Sequence, residues 1–334
     1  MRIVFAGTPE VAVPSLKALV ASAHEVVGVV TRPDAPAGRG RRPQASPVKL
    51  AAEAAGLEVV TPAHPRDEEF KEWLRGTGAE LVAAVAYGAL IPADVLDIPA
   101  HGWINLHFSL LPAYRGAAPV QRAVWSGEEI TGATVFQIVE ALDAGPVYGV
   151  MTYQVPPRAT SGDVLGELAG SADRLLVGVV DEIAAGRARA VPQSGDGVSL
   201  APKIEAADAL VDWSAPAIAV DRQIRACLPA PGPWTVLRGE RVRLGVLEMD
   251  DAGAPAEGTA AGSGGGPQAA PEGLERLEPG VIRAGKRAVW VGTGTGPVRL
   301  GPVKPAGRGW MEAAAWARGA RLAAGERFGR EAMK

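Results

Sequence analysis

The sequence predicts an α/β domain built on a mainly parallel sheet, followed by a smaller all-β domain. Three observations carry that expectation. The chain has 334 residues, more than twice the roughly 150 of a typical domain. Its first half alternates continuous apolar runs with single helical stretches, the pattern of parallel strands covered on both faces. From about Ala207 the β-like runs become short and are divided by Gly-rich turns, which suits a small barrel or sandwich.

Arg2–Ala6 (RIVFA) reads as a buried strand, followed by a turn at Gly7-Thr8-Pro9 and a helix around Val11–Ser22. Further strands are expected at His24–Val30, Leu57–Thr61, Leu81–Ala86 and Trp103–Leu106, with helices around Pro47–Ala55 and Asp67–Arg75 between them. Pro119 stands where it could begin another helix at its first position. Thr134–Val139 and Val147–Gln154 read as strands, then one long helix runs from about Ser161 to Ala185 and a loop covers Gly186–Ser199. The second region offers strands at Thr235–Arg238, Val242–Met249, Gly280–Arg283, Ala288–Gly292 and Val298–Val303, with Gly292–Gly296 (GTGTG) as a hairpin turn. Between Ala252 and Pro271, 16 of 20 residues are Ala, Gly or Pro. Such a stretch cannot bury a face and is expected to be a flexible insertion. The expected limits are a first domain over 1–189, a linker over 190–206 and a second domain over 207–334.

Composition narrows the function classes. With 47% hydrophobic residues, a wholly disordered chain is excluded. The net charge of −3 argues against a general polyanion binder. Charge is uneven, however: residues 279–334 carry 11 basic against 3 acidic side chains, so an anionic partner suits that end. The single cysteine, Cys227, excludes an internal disulfide or a thiolate cluster and reads as a plain buried thiol. The longest charge-free apolar stretch, Leu81–Ala93, has 13 residues, short of the roughly 20 a membrane helix needs. No secretory signal is visible, and a cytoplasmic chain without a membrane partner is expected. Gly7-Thr8-Pro9 has one glycine where a dinucleotide fingerprint has three, which speaks against a nicotinamide or flavin cofactor.

The chemistry concentrates in Trp103–Gly116, WINLHFSLLPAYRG. Period-two alternation puts Asn105 and His107 on one face, at the carboxyl edge of a parallel strand, where ligands of such sheets bind. An amide donor beside an imidazole suits chemistry on a carbonyl: the amide can bind a developing oxyanion and the imidazole can exchange protons. Taken alone, a histidine at a strand end is more often structural. Leu142-Asp143-Ala144-Gly145 adds a carboxylate in a turn that could fold back beside His107, although by itself it reads as an Asx-type turn. The Thr31–Val48 loop is longer than an ordinary βα connection of roughly 2–6 residues and carries Arg32, Arg39, Arg41 and Arg42 among Gly and Pro.

Several motifs occur together and in order: FAGTPE near the start, RPD-PAGRGRR at Arg32–Arg42, SPVK at Ser46–Lys49, VAYG at Val85–Gly88, INLHFSLLPAYRGAAPVQRA at Ile104–Ala123 and LDAG at Leu142–Gly145. The combination resembles the methionyl-tRNA formyltransferases, and VDW at Val211–Trp213 with PGPWT at Pro231–Thr235 continues the likeness into the second domain. The resemblance implies a Rossmann-like formyltransferase domain and an OB-like C-terminal barrel. It implies Asn105, His107 and Asp143 as the catalytic trio, with no metal. His107 and Asn105 would stabilise the tetrahedral oxyanion; Asp143 would orient His107, directly or through water, and assist proton transfer. Ser109, Leu110, Leu111 and Pro112 would line the pocket for 10-formyltetrahydrofolate, the formyl donor. Arg39, Arg41 and Arg42 would meet initiator methionyl-tRNA, with the C-terminal domain as a second tRNA surface and the chain acting as a monomer. Phe108 and Tyr114 depart from the family pattern, which often has glycine and tryptophan there. Two readings compete: a formyltransferase acting on an amino sugar or aminoribonucleotide, and a catalytically silent RNA-binding protein on the same scaffold.

Overall fold

The computed structural model describes residues 1–37, 42–249, 274 and 277–329. The Ala252–Pro271 insertion, Arg39, Arg41 and the Arg42 side chain lie outside the described residues. The chain divides into two compact units. The first comprises Met1–Pro119, Ile130–Gln154 and Leu165–Pro202; the second comprises Val120–Glu129, Val155–Val164 and Lys203–Lys334.

In the first unit, β1 (Arg2–Gly7) and β2 (Glu25–Val30) lead a seven-stranded sheet. A short antiparallel pair, β3 (Ala35–Ala37) and β4 (Arg42–Gln44), occupies the Arg-bearing loop. The sheet continues with β5 (Val59–Val60), β6 (Leu81–Val85), β7 (Trp103–His107), β8 (Ile130–Gln137) and β9 (Val147–Gln154), in the order β5-β2-β1-β6-β7-β8-β9. The first five are parallel, and β8 and β9 turn antiparallel. Continuous apolar sequence explains the central strands: Ile3–Ala6 and Leu81–Ala83 are fully buried. The helices are α1 (Val13–Val20), α2 (Pro47–Ala54), α3 (Glu68–Thr77) and α4 (Ala93–Leu96). α2 is set by local chemistry, because the Ser46 hydroxyl accepts the Lys49 amide at 3.0 Å and Pro47 opens the helix.

α5 (Pro119–Ser126) begins at Pro119 as the sequence indicates. The expected single helix over 161–185 is two, α6 (Ser161–Ser171) and α7 (Asp173–Ala184). The break falls where Gly170 and Ser171 weaken the helix, and the Ser171 hydroxyl donates to the Glu167 carbonyl at 2.7 Å, a back-bond that bends helices.

The second unit contains α8 (Ala217–Ala226), followed by β10 (Trp234–Leu237), β11 (Glu240–Leu244), β12 (Ile282–Ala284), β13 (Val289–Gly292), β14 (Pro297–Arg299) and β15 (Val303–Pro305), and ends in α9 (Ala313–Ala320). Among the described residues, two antiparallel three-stranded sheets form, ordered β10-β11-β15 and β12-β13-β14. The run Val298–Val303, expected as one strand, is two because Pro302 has no amide to give a ladder. GTGTG is the hairpin turn between β13 and β14. Trp213 and Trp316 stack on Phe328 with ring centres 5.4 and 5.9 Å apart, and Ile224, Val289 and Val291 pack in the same core. Trp290, between two of those residues on β13, is buried, while Trp310 is exposed. Cys227 is buried, and burial pushes its thiol pKa up to about 12. Asp221, without solvent exposure, is held at 2.8 Å by both Arg158 and Arg225.

Candidate active site

β7 carries Asn105 and His107 to the carboxyl edge of the sheet on one face, two residues apart. Asn105 is half-buried and His107 is buried. The Nε2 of His107 lies 2.9 Å from the Tyr114 carbonyl. A carbonyl only accepts, so Nε2 carries the hydrogen and the neutral ring keeps its lone pair on Nδ1. Nδ1 faces Asp143 Oδ2 at 3.9 Å, too far for a hydrogen bond and close enough for strong attraction once the ring is charged. Burial pushes the His107 pKa below its ordinary value, against the opposing pull of Asp143 and the Tyr114 carbonyl. The resting imidazole is therefore neutral near pH 7. Phe136 of β8 meets the ring edge-on, centre to centre 6.4 Å.

The loops that bring these groups together are held in uncommon conformations. Asp143 (φ +46°), Tyr114 (φ +60°) and Ala86 (φ +47°), at the ends of strands or the loops after them, are non-glycine residues in the left-handed region; such strain persists only where surroundings enforce it. The Asp143 carboxylate accepts the Gly116 amide at 2.8 Å. A glycine in each of the two loops lets backbone pack directly on backbone. At Gly116 (φ +124°) a Cβ would meet the Ala201 carbonyl oxygen at 2.8 Å, and at Gly145 the Gln137 carbonyl oxygen at 1.8 Å.

Ser109 is fully buried, and its hydroxyl donates to the Ala113 carbonyl at 2.7 Å. Thr134 of β8 donates to the Ser109 carbonyl at 2.7 Å and accepts the Leu111 amide at 3.2 Å. Ser109 thus shapes the turn from inside, while Leu110, Leu111 and Pro112 are half-buried. One strand over, the ends of β2, β5 and β6 frame a cleft of about 480 Å³ lined by Arg32, His64, Arg66, Gly88, Leu90 and Pro92, among others. A second concavity of about 370 Å³, along α7 and β9, holds Arg174 and an Arg187–Glu182 pair and none of the groups around His107.

Of the three sequence-indicated residues, Asn105 and His107 share one face of β7, and the turn between β8 and β9 brings Asp143 to 3.9 Å from His107. Sequence reasoning missed the two groups that hold them, the Tyr114 carbonyl and the Gly116 amide, because backbone atoms leave no residue-type signal. It also missed the cationic cleft, whose Arg32 comes from the loop after β2 and whose His64 and Arg66 come from the loop after β5.

Residues 1–180 match the family described as formyl transferase, and residues 203–321 match the formyl transferase C-terminal domain. The chain is 56% identical over 329 residues to the methionyl-tRNA formyltransferase of Nocardioides sp. (strain ATCC BAA-499 / JS614), covering 98% of both chains. Among solved structures it is similar to a variant of HypX from Aquifex aeolicus, with TM-score 0.63, 19% identity and 95% of this chain covered; it spans about half of that protein, 48%. It is also similar to WlaRD, a sugar 3N-formyl transferase crystallised in the presence of dTDP and 5-N-formyl-THF, with TM-score 0.62, 14% identity, and 92% of this chain and 98% of that one covered. Those two likenesses concern the fold. The full-length relative and the two matched regions concern the family, and by them the chain belongs to the methionyl-tRNA formyltransferases.

Proposed function

We propose that Asn105, His107 and Asp143 carry out the reaction of this family. That reaction is transfer of the formyl group from 10-formyltetrahydrofolate to the α-amino group of methionyl initiator tRNA, giving N-formylmethionyl-tRNA for translation initiation. The observation that supports these roles best is the wiring of His107: Nε2–H is spent on the Tyr114 carbonyl, which leaves Nδ1 as the proton-accepting atom beside Asp143.

The neutral methionyl amine attacks the formyl carbon, and the Asn105 amide donates to the oxygen that becomes the tetrahedral oxyanion. His107 Nδ1 takes the proton that attack makes acidic. The imidazolium so formed is stabilised by Asp143 and adds its own N–H to the field on the oxyanion. As the carbon–N10 bond breaks, the proton passes to the folate nitrogen. One C–N bond forms, one breaks, and one proton moves from amine to amine.

Leu110, Leu111 and Pro112, with Ser109 shaping the turn from within, are assigned to the folate pocket. The cleft with Arg32, His64 and Arg66 suits the carboxylates of the folate tail. Arg39, Arg41 and Arg42 are assigned to tRNA phosphates, where each contact would make affinity fall with salt. The second unit, read as an OB-like barrel, is assigned to the body of the tRNA. All three catalytic side chains come from one chain, so this reading needs no second copy, and the chain is taken to act as a cytoplasmic monomer. Among the described residues, no helix is long and apolar enough to cross a membrane.

The test is transfer of labelled formyl from 10-formyltetrahydrofolate to methionyl initiator tRNA, with free methionine and unacylated tRNA as controls. Label should appear on the charged tRNA alone. Label on an amino sugar or aminoribonucleotide instead would overturn the reading, as would tRNA binding without any formylated product.

A further inference from the structure

The segment after α7, read from sequence as the start of a linker, crosses the two turns that hold the candidate site. Val191 exchanges two backbone hydrogen bonds with Val147, at 2.7 and 2.8 Å. Ser199 accepts the Tyr114 amide on its hydroxyl and the Arg115 amide on its carbonyl, each at 2.9 Å. Ala201 donates to the Arg115 carbonyl at 2.7 Å. Between these anchors, Gln193 spends its whole amide on the turns. Its Nε2 donates to the Asp143 and Gly145 carbonyls, both at 2.8 Å, and its Oε1 accepts Arg115 Nη2 at 2.6 Å and Nε at 3.2 Å.

We propose that Gln193 is a positioning residue: it ties the Asp143 turn to the Tyr114–Gly116 turn and so fixes the Asp143 carboxylate at its distance from His107. Two donors and two acceptor sites are all that a glutamine amide offers, and all four are engaged. A surface glutamine that only decorated a loop would leave some of them to water. What Gln193 grips also points to this role. Asp143 sits at φ +46°, a strained conformation that must be enforced from outside, and Gln193 holds the carbonyl of that same residue. Arg115, held from the other side, lies between Tyr114, whose carbonyl orients His107, and Gly116, whose amide holds the Asp143 carboxylate. One side chain thus spans both supports of the His107–Asp143 pair without touching a reacting atom. The inference rests on the catalytic roles proposed above for His107 and Asp143.

The test compares Gln193→Met, which keeps length and removes all four hydrogen bonds, with Gln193→Glu, which keeps an acceptor for Arg115 and loses the donors to Asp143 and Gly145. Val198→Ser, at an exposed position of the same segment, is the control and should behave as the unaltered protein. Misplacing a catalytic group by about 1 Å costs about a hundredfold. Both Gln193 variants should therefore lose about 10- to 100-fold in kcat, with KM for folate and for charged tRNA within about threefold. Asp143 is the charged group that acts on His107, so its displacement should also move the acidic limb of the kcat–pH profile of Gln193→Met to lower pH, which general loosening of the fold would not do. Thermal melts accompany each variant, and should Gln193→Met unfold below the assay temperature, Gln193→Glu carries the test. Unaltered kcat in either folded variant, or a drop with no movement of the limb in Gln193→Met, would overturn the inference. His107→Ala is run in parallel: full turnover there would sink the catalytic reading itself. An inactive His107→Ala beside fully active Gln193 variants would sink the Gln193 proposal alone.

Discussion

Replacing Asp143 with Asn isolates the charge on which the proposed proton transfer depends. Asn keeps an acceptor for the Gly116 amide, so the turn should survive, while the negative charge facing His107 disappears. A unit charge pair 3.9 Å apart interacts by about 4 kcal/mol at an effective dielectric constant near 20. The His107 and Asp143 side chains are only 7% and 15% exposed, so solvent removes only part of that attraction. Between half and all of it lost from the imidazolium stage lowers the formyl-transfer rate by about 30- to 1000-fold. The direction of the pH effect is fixed too. Asp143 raises the His107 pKa against the lowering effect of burial, so its neutralisation drops that pKa further below 6.5. Turnover needs the neutral Nδ1, and the acidic limb should therefore shift to lower pH as the rate falls. Single-turnover formylation of methionyl initiator tRNA, followed from about pH 5 to 8 where imidazoles titrate, reads both effects. A rate within about threefold of the unaltered protein, or a limb displaced upward, would refute the reasoning.

Other expected outcomes address the tRNA loop and the framework. Arg39→Ala should raise KM for the charged tRNA about tenfold, reduce the salt slope of binding by about one, and leave KM for folate unchanged; equal losses for both substrates would count against a phosphate contact. Gly116→Ala forces a Cβ to 2.8 Å from the Ala201 carbonyl oxygen at φ +124°, which should cost about 1–3 kcal/mol in denaturant unfolding and slow formylation by displacing the Asp143 anchor. Asp221→Asn leaves Arg158 and Arg225 facing a neutral group where a buried carboxylate stood, and calorimetry should record a loss of about 3–5 kcal/mol. A Tm lowered by less than about 2 °C would contradict that account.

The parallel strands were legible because both faces are covered and the residues say so: IVFA and LVAAV have no polar side to present. α8 was not, for the opposite reason. Its buried face includes Asp221, Gln223 and Arg225, polar groups satisfied by one another and by partners outside the helix, and they erase the apolar period that would mark a helix. α9 is dominated by alanine and gives little contrast between its faces. At the site, two-residue alternation alone puts Asn105 and His107 together. Asp143 came from family resemblance, since a carboxylate in a turn normally serves the turn. Tyr114, Gly116 and Gln193 contribute through two backbone atoms and one side-chain amide roughly fifty residues downstream of the Asp143 turn it grips, relations that residue type cannot encode. The boundary of the first unit illustrates the same limit. Composition marks Gly186–Ser199 as a loop, yet its hydrogen bonds tie it to the strand-end turns.

The most direct measurement is a single-turnover assay of His107→Ala with saturating 10-formyltetrahydrofolate and methionyl initiator tRNA, alongside equilibrium binding of each substrate. If Nδ1 carries the proton between amine and folate nitrogen, both substrates should bind with about unaltered affinity while product forms at least about a hundredfold more slowly. Product appearing at close to the rate of the unaltered protein would mean that the imidazole is scaffolding and that the proton travels by another route.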